Sequence, residues 1–201
     1  MKKTKADELI QAFKQNKGVL HFAQVLEHGF HRKNLKSLVE SGKLKKIGRG
    51  LYSLKDVTSL SNPDFVTVAL KAPKGVICLI SALSYHRATD EIPQRIDVAI
   101  PRGPWANKID YPPVQYFRFS DKAWKAGIET HMIDNHPVKI YSLAKTVADC
   151  FKYRNKFGLD LAREALKIAV NEKKIKPTEI YNFAKICRVD KVIRPYLESL
   201  L

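Results

Sequence analysis

The chain has only three cysteines in 201 residues, and none are paired in sequence. Cys78, Cys150 and Cys187 are far apart, odd in number and set among apolar neighbours, and there is no CxxC. That pattern excludes a disulfide framework and argues against a zinc site; buried, reduced thiols fit it. No uninterrupted apolar run is long enough to cross a bilayer. The opening MKKTKADELIQAF has the basic start of a signal peptide, but Asp7, Glu8 and Gln11 break up the apolar core that such a peptide needs. The expectation is a cytoplasmic protein with no membrane partner. A P-loop and a dinucleotide fingerprint are also missing, as are internal repeats and low-complexity segments, so no nucleotide cofactor is expected.

Acidic residues are scarce relative to basic ones, 20 against 36, for a net charge of +16. Residues 1–56 hold 13 Lys and Arg against 5 Asp and Glu, and residues 57–201 hold 23 against 15, so each part has a net +8. The same excess is therefore concentrated in about a quarter of the chain at the N-terminus. Such a field attracts polyanions. The hydrophobic content of 45% is ordinary for a globular protein and sufficient for a packed core.

The basic N-terminal part is organised around residues 21–54, HFAQVLEHGFHRKNLKSLVESGKLKKIGRGLYSL. Phe22, Val25 and Leu26 recur at helical spacing. Gly29 supplies a turn that a residue with a Cβ resists. Leu35, Leu38 and Val39 form the inner face of a second helix, leaving Arg32, Lys33, Lys36 and Ser37 on its outer face. Gly42 is placed to end that helix as a left-handed cap. Leu44 and Ile47 then alternate imperfectly with lysines, Gly48-Arg49-Gly50 turns, and Leu51 to Leu54 returns as a strand. Helix, tight turn, basic helix and basic hairpin in this order predict a helix-turn-helix with a wing, a device for holding duplex DNA. The ordinary alternative for any one basic face is that it is merely solvated.

Residues 4–16 form a support helix bearing Leu9, Ile10 and Phe13, and residues 55–62 read as a linker. A second domain, residues 63–201, then begins with a helix capped by Asn62 or Ser61 and carrying Pro63 at its first position. A buried run, Val76 to Ile80, precedes a helix opened by Ser81. Strands are expected at residues 95–101, 114–119, 127–134 and 137–141, the last two joined by Asp134-Asn135-His136 as a turn. From Ser142 onward the pattern is helical, with Pro177-Thr178 starting one helix and Pro195 kinking the last or delaying its start. The fold class expected is α+β: an N-terminal winged helix-turn-helix in residues 1–56, then a mixed domain with a small sheet and a helical C-terminal end.

From end to end the chain resembles the AbiEi family of antitoxins from type IV (abortive-infection) toxin–antitoxin systems. The stretches that carry the resemblance are GFHRKNLKSLVESGKLKKIGRGLY (29–52), PKGVICLISALSYH (73–86), IDVAIPRG (96–103) and VKIYSLAKTVADCF (138–151). The resemblance implies a transcriptional repressor that binds inverted repeats in its own promoter. It also implies an antitoxin that counters a nucleotidyltransferase-like toxin, directly or indirectly. It places Arg32, Lys33, Lys36, Lys45, Lys46 and Arg49 at DNA-contacting positions, beside Ser37 on the same outer helix face. The family often has Ser or Thr where this chain has His31, a poorer helix N-cap.

The remaining candidates for chemistry read as structural. His131, Asp134 and His136 straddle a strand end and a turn, and are expected to be exposed turn residues, not metal ligands. Ser81 and His86 are five residues apart on a predicted helix, which separates them as a nucleophile and base. Asp149 sits beside Val147, Cys150 and Phe151, where it pairs with a buried Arg or Lys and holds its helix to the sheet. Trp105 in the loop RGPWANK, beside Arg102 and Lys108, packs as a lid on the core, anchors an interface or stacks a base. No catalysis and no metal are expected. The competing reading is a metal-dependent nuclease using Asp97, Asp110 and Glu129 and delivered by the winged domain. A third is a plain protein-interaction module. An inverted-repeat operator requires two copies, as a dimer or a cooperative pair.

Overall fold

The structure, a computed structural model, describes residues 4–56, 62–103 and 108–200. It divides into two compact units, Met1–Lys71 with Met132–Pro137, and Ala72–His131 with Val138–Leu201. Both contain helices and each has its own sheet, three-stranded and five-stranded.

In the first unit the elements are α1 (Lys5–Gln15), β1 (Val19–His21), α2 (Phe22–Glu27), α3 (Arg32–Glu40), β2 (Leu44–Gly48), β3 (Leu51–Leu54) and α4 (Pro63–Lys71). Thr4 caps α1 by accepting from the Asp7 amide, and Asp7 accepts in return from the Thr4 amide. Leu9, Ala12 and Phe13 of α1 meet Val25 of α2 and Leu35 and Leu38 of α3 in one cluster, closed by Leu20 and Leu44 from the strands. Full burial of a leucine such as Leu35 or Leu38 contributes about 1.5–3 kcal/mol. Val39 is only partly buried against this cluster, and Leu26 points outward at 47% exposure, contrary to its expected place on the inner face of α2.

The small sheet has the order β1-β3-β2, with both pairings antiparallel. Val19 to His21 forms strand β1, which sequence periodicity does not reveal. Three residues are too few to show alternation. Along β3 the side chains alternate. Tyr52 and Leu54 pack on the helical cluster, whereas Leu51 and Ser53 turn to the other face and are buried there as well.

The second unit holds β4 (Val76–Ile77), α5 (Leu79–Tyr85), β5 (Ile96–Pro101), β6 (Val114–Phe119), α6 (Asp121–Lys125), β7 (Ile128–Ile133), β8 (His136–Tyr141), α7 (Leu143–Lys152), α8 (Arg154–Phe157), α9 (Leu159–Asn171), α10 (Pro177–Cys187) and α11 (Asp190–Glu198). The end of the β7–β8 hairpin counts with the first unit. The sheet order is β6-β5-β4-β8-β7; β5 and β6 run parallel, as do β4 and β8, and β4 is antiparallel to β5. Every residue of α7 from Leu143 to Phe151 is buried, and α5, α9, α10 and α11 pack around it.

Several local expectations are corrected. Ser81 does not open α5. The helix begins two residues earlier, at Leu79 in the left-handed region (φ 49°), with Cys78 as its N-cap. The Ser81 hydroxyl instead donates to the Arg95 carbonyl (3.2 Å) and accepts from the Asp97 amide (2.9 Å), tying α5 to β5. His136 is not a turn residue: Asp134 and Asn135, both at positive φ, make the turn, and His136 is buried at 5% exposure in β8. Pro195 lies inside α11 and does not delay its start. Asp149 does pair with a buried lysine, Lys145 one turn earlier on the same helix. Trp105 and most of the expected linker, residues 57–61, lie outside the described residues.

Candidate nucleic-acid interface

The α3 helix begins at Arg32. His31 is its N-cap but makes no side-chain cap bond; Asn34 Oδ1 accepts from the His31 amide at 2.9 Å. Two glycines frame the helix. At the end of α2, Gly29 (φ 78°) donates to the Leu26 carbonyl and Phe30 to that of Val25, at 2.9 and 3.1 Å. At the end of α3, Gly42 (φ 69°) donates to Val39 and Lys43 to Leu38, each at 3.0 Å. Both are Schellman stops, which satisfy the last carbonyls of a helix and need a left-handed residue. They hold the α2–α3 turn and the exit into β2 in defined places.

With Leu35 and Leu38 buried, the outer face of α3 consists of Arg32, Lys33, Lys36, Ser37 and Glu40, all exposed. The Arg32 guanidinium lies 6.0 Å from the Phe22 ring centroid, at the outer limit of a cation–π contact. Lys36 faces Glu40 one turn on at 3.7 Å, and at 76% and 65% exposure this pair is worth little and opens readily.

Strand β2 is an edge of the small sheet. Lys45 and Lys46 are exposed opposite Ser53 and Tyr52, and the register then shifts between Lys46 and Gly48, a bulge. A bulge twists its strand away from regular pairing and protects an edge from adding another strand. Arg49 and Gly50 form the turn, with Arg49 exposed and Gly50 at φ 77°. All the residues proposed from sequence as DNA contacts (Arg32, Lys33, Lys36, Ser37, Lys45, Lys46 and Arg49) are therefore exposed on one helix and the hairpin that follows it.

His21 is a component that the sequence reading missed. It ends β1, caps α2 by accepting from the Ala23 amide at Nδ1 (3.1 Å), and lies against Gly50 of the hairpin turn. Burial, helped by the nearby Lys71 ammonium, depresses its imidazole from 6.5 to about 4, so it is neutral at pH 7.

The carboxylates of the nuclease reading are each engaged by a different base. Asp97 is 3.7 Å from Arg95, Asp110 is 3.7 Å from Lys108, and Glu129 is 3.0 Å from His131. Among the described residues no group of three or more His, Cys, Asp or Glu is arranged to hold a metal ion. The His86 Nε2 lies 2.8 Å from the Tyr141 carbonyl, and Ser81 is committed to β5. No helix among the described residues is long and apolar enough to cross a membrane.

Residues 7–55 match the family model described as transcriptional regulator, AbiEi antitoxin. Among solved structures, the RV2827C protein from Mycobacterium tuberculosis is similar, with a TM-score of 0.48 and 12% identity, over 96% of this chain and 80% of that one. No curated protein matches.

Proposed function

We propose that the chain, whose residues 7–55 match the model of AbiEi antitoxin transcriptional regulators, is a DNA-binding repressor acting as the antitoxin of a type IV system. Residues 1–56 act as a winged helix-turn-helix. The α3 helix enters the major groove, with Lys33 and Ser37 facing base edges and Arg32 and Lys36 reaching phosphates. Lys45, Lys46 and Arg49 on the hairpin hold the adjacent backbone. The observation that supports this best is the exposure of these donors on α3, which follows the glycine stop of α2 and ends in one of its own, and on the basic hairpin directly after it.

Phosphate contacts by Lys and Arg supply affinity and orientation, whereas base contacts supply specificity. Two copies, as a dimer or a cooperative pair, occupy an inverted repeat in the protein's own promoter. The protein acts by binding and not by catalysis. The family resemblance supports the second role, countering a nucleotidyltransferase-like toxin directly or indirectly.

A reporter driven by the chain's own upstream region tests the repressor reading. Wild-type protein is expected to silence it, and Arg32→Ala, Lys33→Ala and Arg49→Ala to restore expression at equal protein levels. Silencing unchanged by all three, or no silencing by the wild type, contradicts it.

A further inference from the structure

His21 stands where three elements of the N-terminal unit meet. As the last residue of β1 it is opposite Leu51, the first residue of β3. As the N-cap of α2 it accepts from the Ala23 amide, while its own amide donates to Gln24 Oε1 at 2.9 Å. Its ring lies so close to the hairpin turn that a Cβ added to Gly50 would sit 2.8 Å from Nε2 and 3.3 Å from Cε1. The next amide along, Phe22, donates to the Gly50 carbonyl at 2.7 Å.

Besides this ring, the turn is held by the Phe22 amide on the Gly50 carbonyl and by the pairing of Gly48 with Leu51. Arg49 is flanked by Gly48 and Gly50, the two residues with the most backbone freedom. A Cβ at Gly48 would touch only Leu51 Cβ, at 3.7 Å, so that side of the turn is open. On the Gly50 side a Cβ would strike the imidazole, with Nε2 the nearest atom. In the neutral ring Nδ1 keeps its lone pair for the α2 cap.

We propose that His21 is a positioning residue for DNA binding: it fixes the turn carrying Arg49 against the start of α2, and thereby sets the reach of the Arg49 guanidinium to a DNA phosphate. This deepens the repressor reading and rests on it. His21 itself touches no DNA; its effect passes through Arg49.

The test is a mutant cycle on the full-length protein, read as affinity for its own upstream duplex across a salt series, with a scrambled duplex as control. His21→Ala removes ring and cap together and risks misfolding. His21→Asn keeps a capping acceptor and removes the ring. Circular dichroism establishes which variants fold, and either suffices. Arg49→Ala is expected to weaken binding about tenfold and to lower the salt slope by about one, the signature of one lost phosphate contact. The His21 variant should reproduce both changes. Combined with Arg49→Ala it should bind no more weakly than Arg49→Ala alone, whereas combined with Lys33→Ala the losses should multiply.

If a folded His21 variant binds with wild-type affinity and slope, or if its loss multiplies with that of Arg49→Ala, the positioning role is wrong while the repressor reading stands. A wild-type protein that does not distinguish its own duplex from the scrambled one, with Arg49→Ala unchanged, overturns both.

Discussion

The Lys145 ammonium lies 2.5 Å from the Asp149 carboxylate one helical turn away, and neither side chain is exposed at all. The rest of the pair's surroundings match it closely. The Cys187 thiol donates to the other Asp149 oxygen at 3.2 Å, and the ammonium lies 4.2 Å from the Tyr141 ring centroid and 4.9 Å from that of Phe119. The lysine, not the aspartate, thus connects α7 to the sheet. Removing one partner leaves a buried charge without compensation, which costs about 3–5 kcal/mol, whereas a well-packed apolar pair can be nearly neutral. Asp149→Leu is therefore expected to destabilise the protein by about that amount in urea denaturation. Lys145→Met with Asp149→Leu should recover most of the loss.

The two hairpin-side glycines should respond differently to alanine. Both Gly42 (φ 69°) and Gly50 (φ 77°) are left-handed, but a Cβ at Gly42 meets nothing within 4 Å while one at Gly50 strikes the His21 ring. Gly42→Ala is expected to cost about 1–2 kcal/mol, the conformational penalty alone. Gly50→Ala should cost more, and Gly50→Ala with His21→Ala less than the two single costs added together. Chemical denaturation of these variants and of His21→Ala alone checks the order.

Acid should reveal two opposed groups. His21 is depressed from 6.5 to about 4, so between those values the unfolded chain binds a proton that the folded one refuses. Its contribution to stability is present above about pH 6.5 and is lost as pH falls towards 4. Asp97 runs the other way: burial pushes its carboxyl from 3.8 up to about 6 against the opposing pull of Arg95. The folded state then holds the extra proton, and stability from this group falls as pH rises from about 4 to about 6. Relative to the wild type, His21→Asn should gain stability as pH drops through that window, and Asp97→Asn should lose it. Melting temperatures at pH 4.5, about 5.5 and about 7 decide both signs.

A fragment ending at Asp56 should be poorly stable. Val19, Leu51 and Ser53 are buried, at 0–1% exposure, on the sheet face away from the α1–α3 cluster, and the unit that contains them extends to Lys71 and includes Met132–Pro137. The fragment lacks those parts, so it should melt broadly and bind a hydrophobic dye where the full chain does not. A sharp melt without dye binding would show that residues 1–56 fold alone.

How much of this was legible in the sequence depended on range. The helices around Leu9, Leu35 and Val147 could be read because their apolar spacing is local, and the stops at Gly29 and Gly42 because a left-handed cap favours glycine. Features decided by distant partners were hidden. Ser81 has the composition of a helix cap, but β5, fourteen and sixteen residues on, claims its hydroxyl. His136 looks like a turn residue until the Asp134-Asn135 turn places it in β8. Lys145 stood four residues before Asp149 in plain view, yet a lysine among apolar neighbours gives no sign that it will be buried. The five residues of α6 are too few for a periodic signal. Of the candidate interface, the basic positions were readable from spacing, and His21 was not, because only the folded hairpin brings Gly50 to its ring.

The most direct test of the DNA-binding account is affinity of the full-length protein for its own upstream duplex and for a scrambled one, measured across a salt series. The account predicts clear preference for the native duplex, a steep fall in affinity with salt, and a loss of preference in Lys33→Ala and Arg49→Ala. Equal binding to both duplexes, unchanged in the variants, would contradict it.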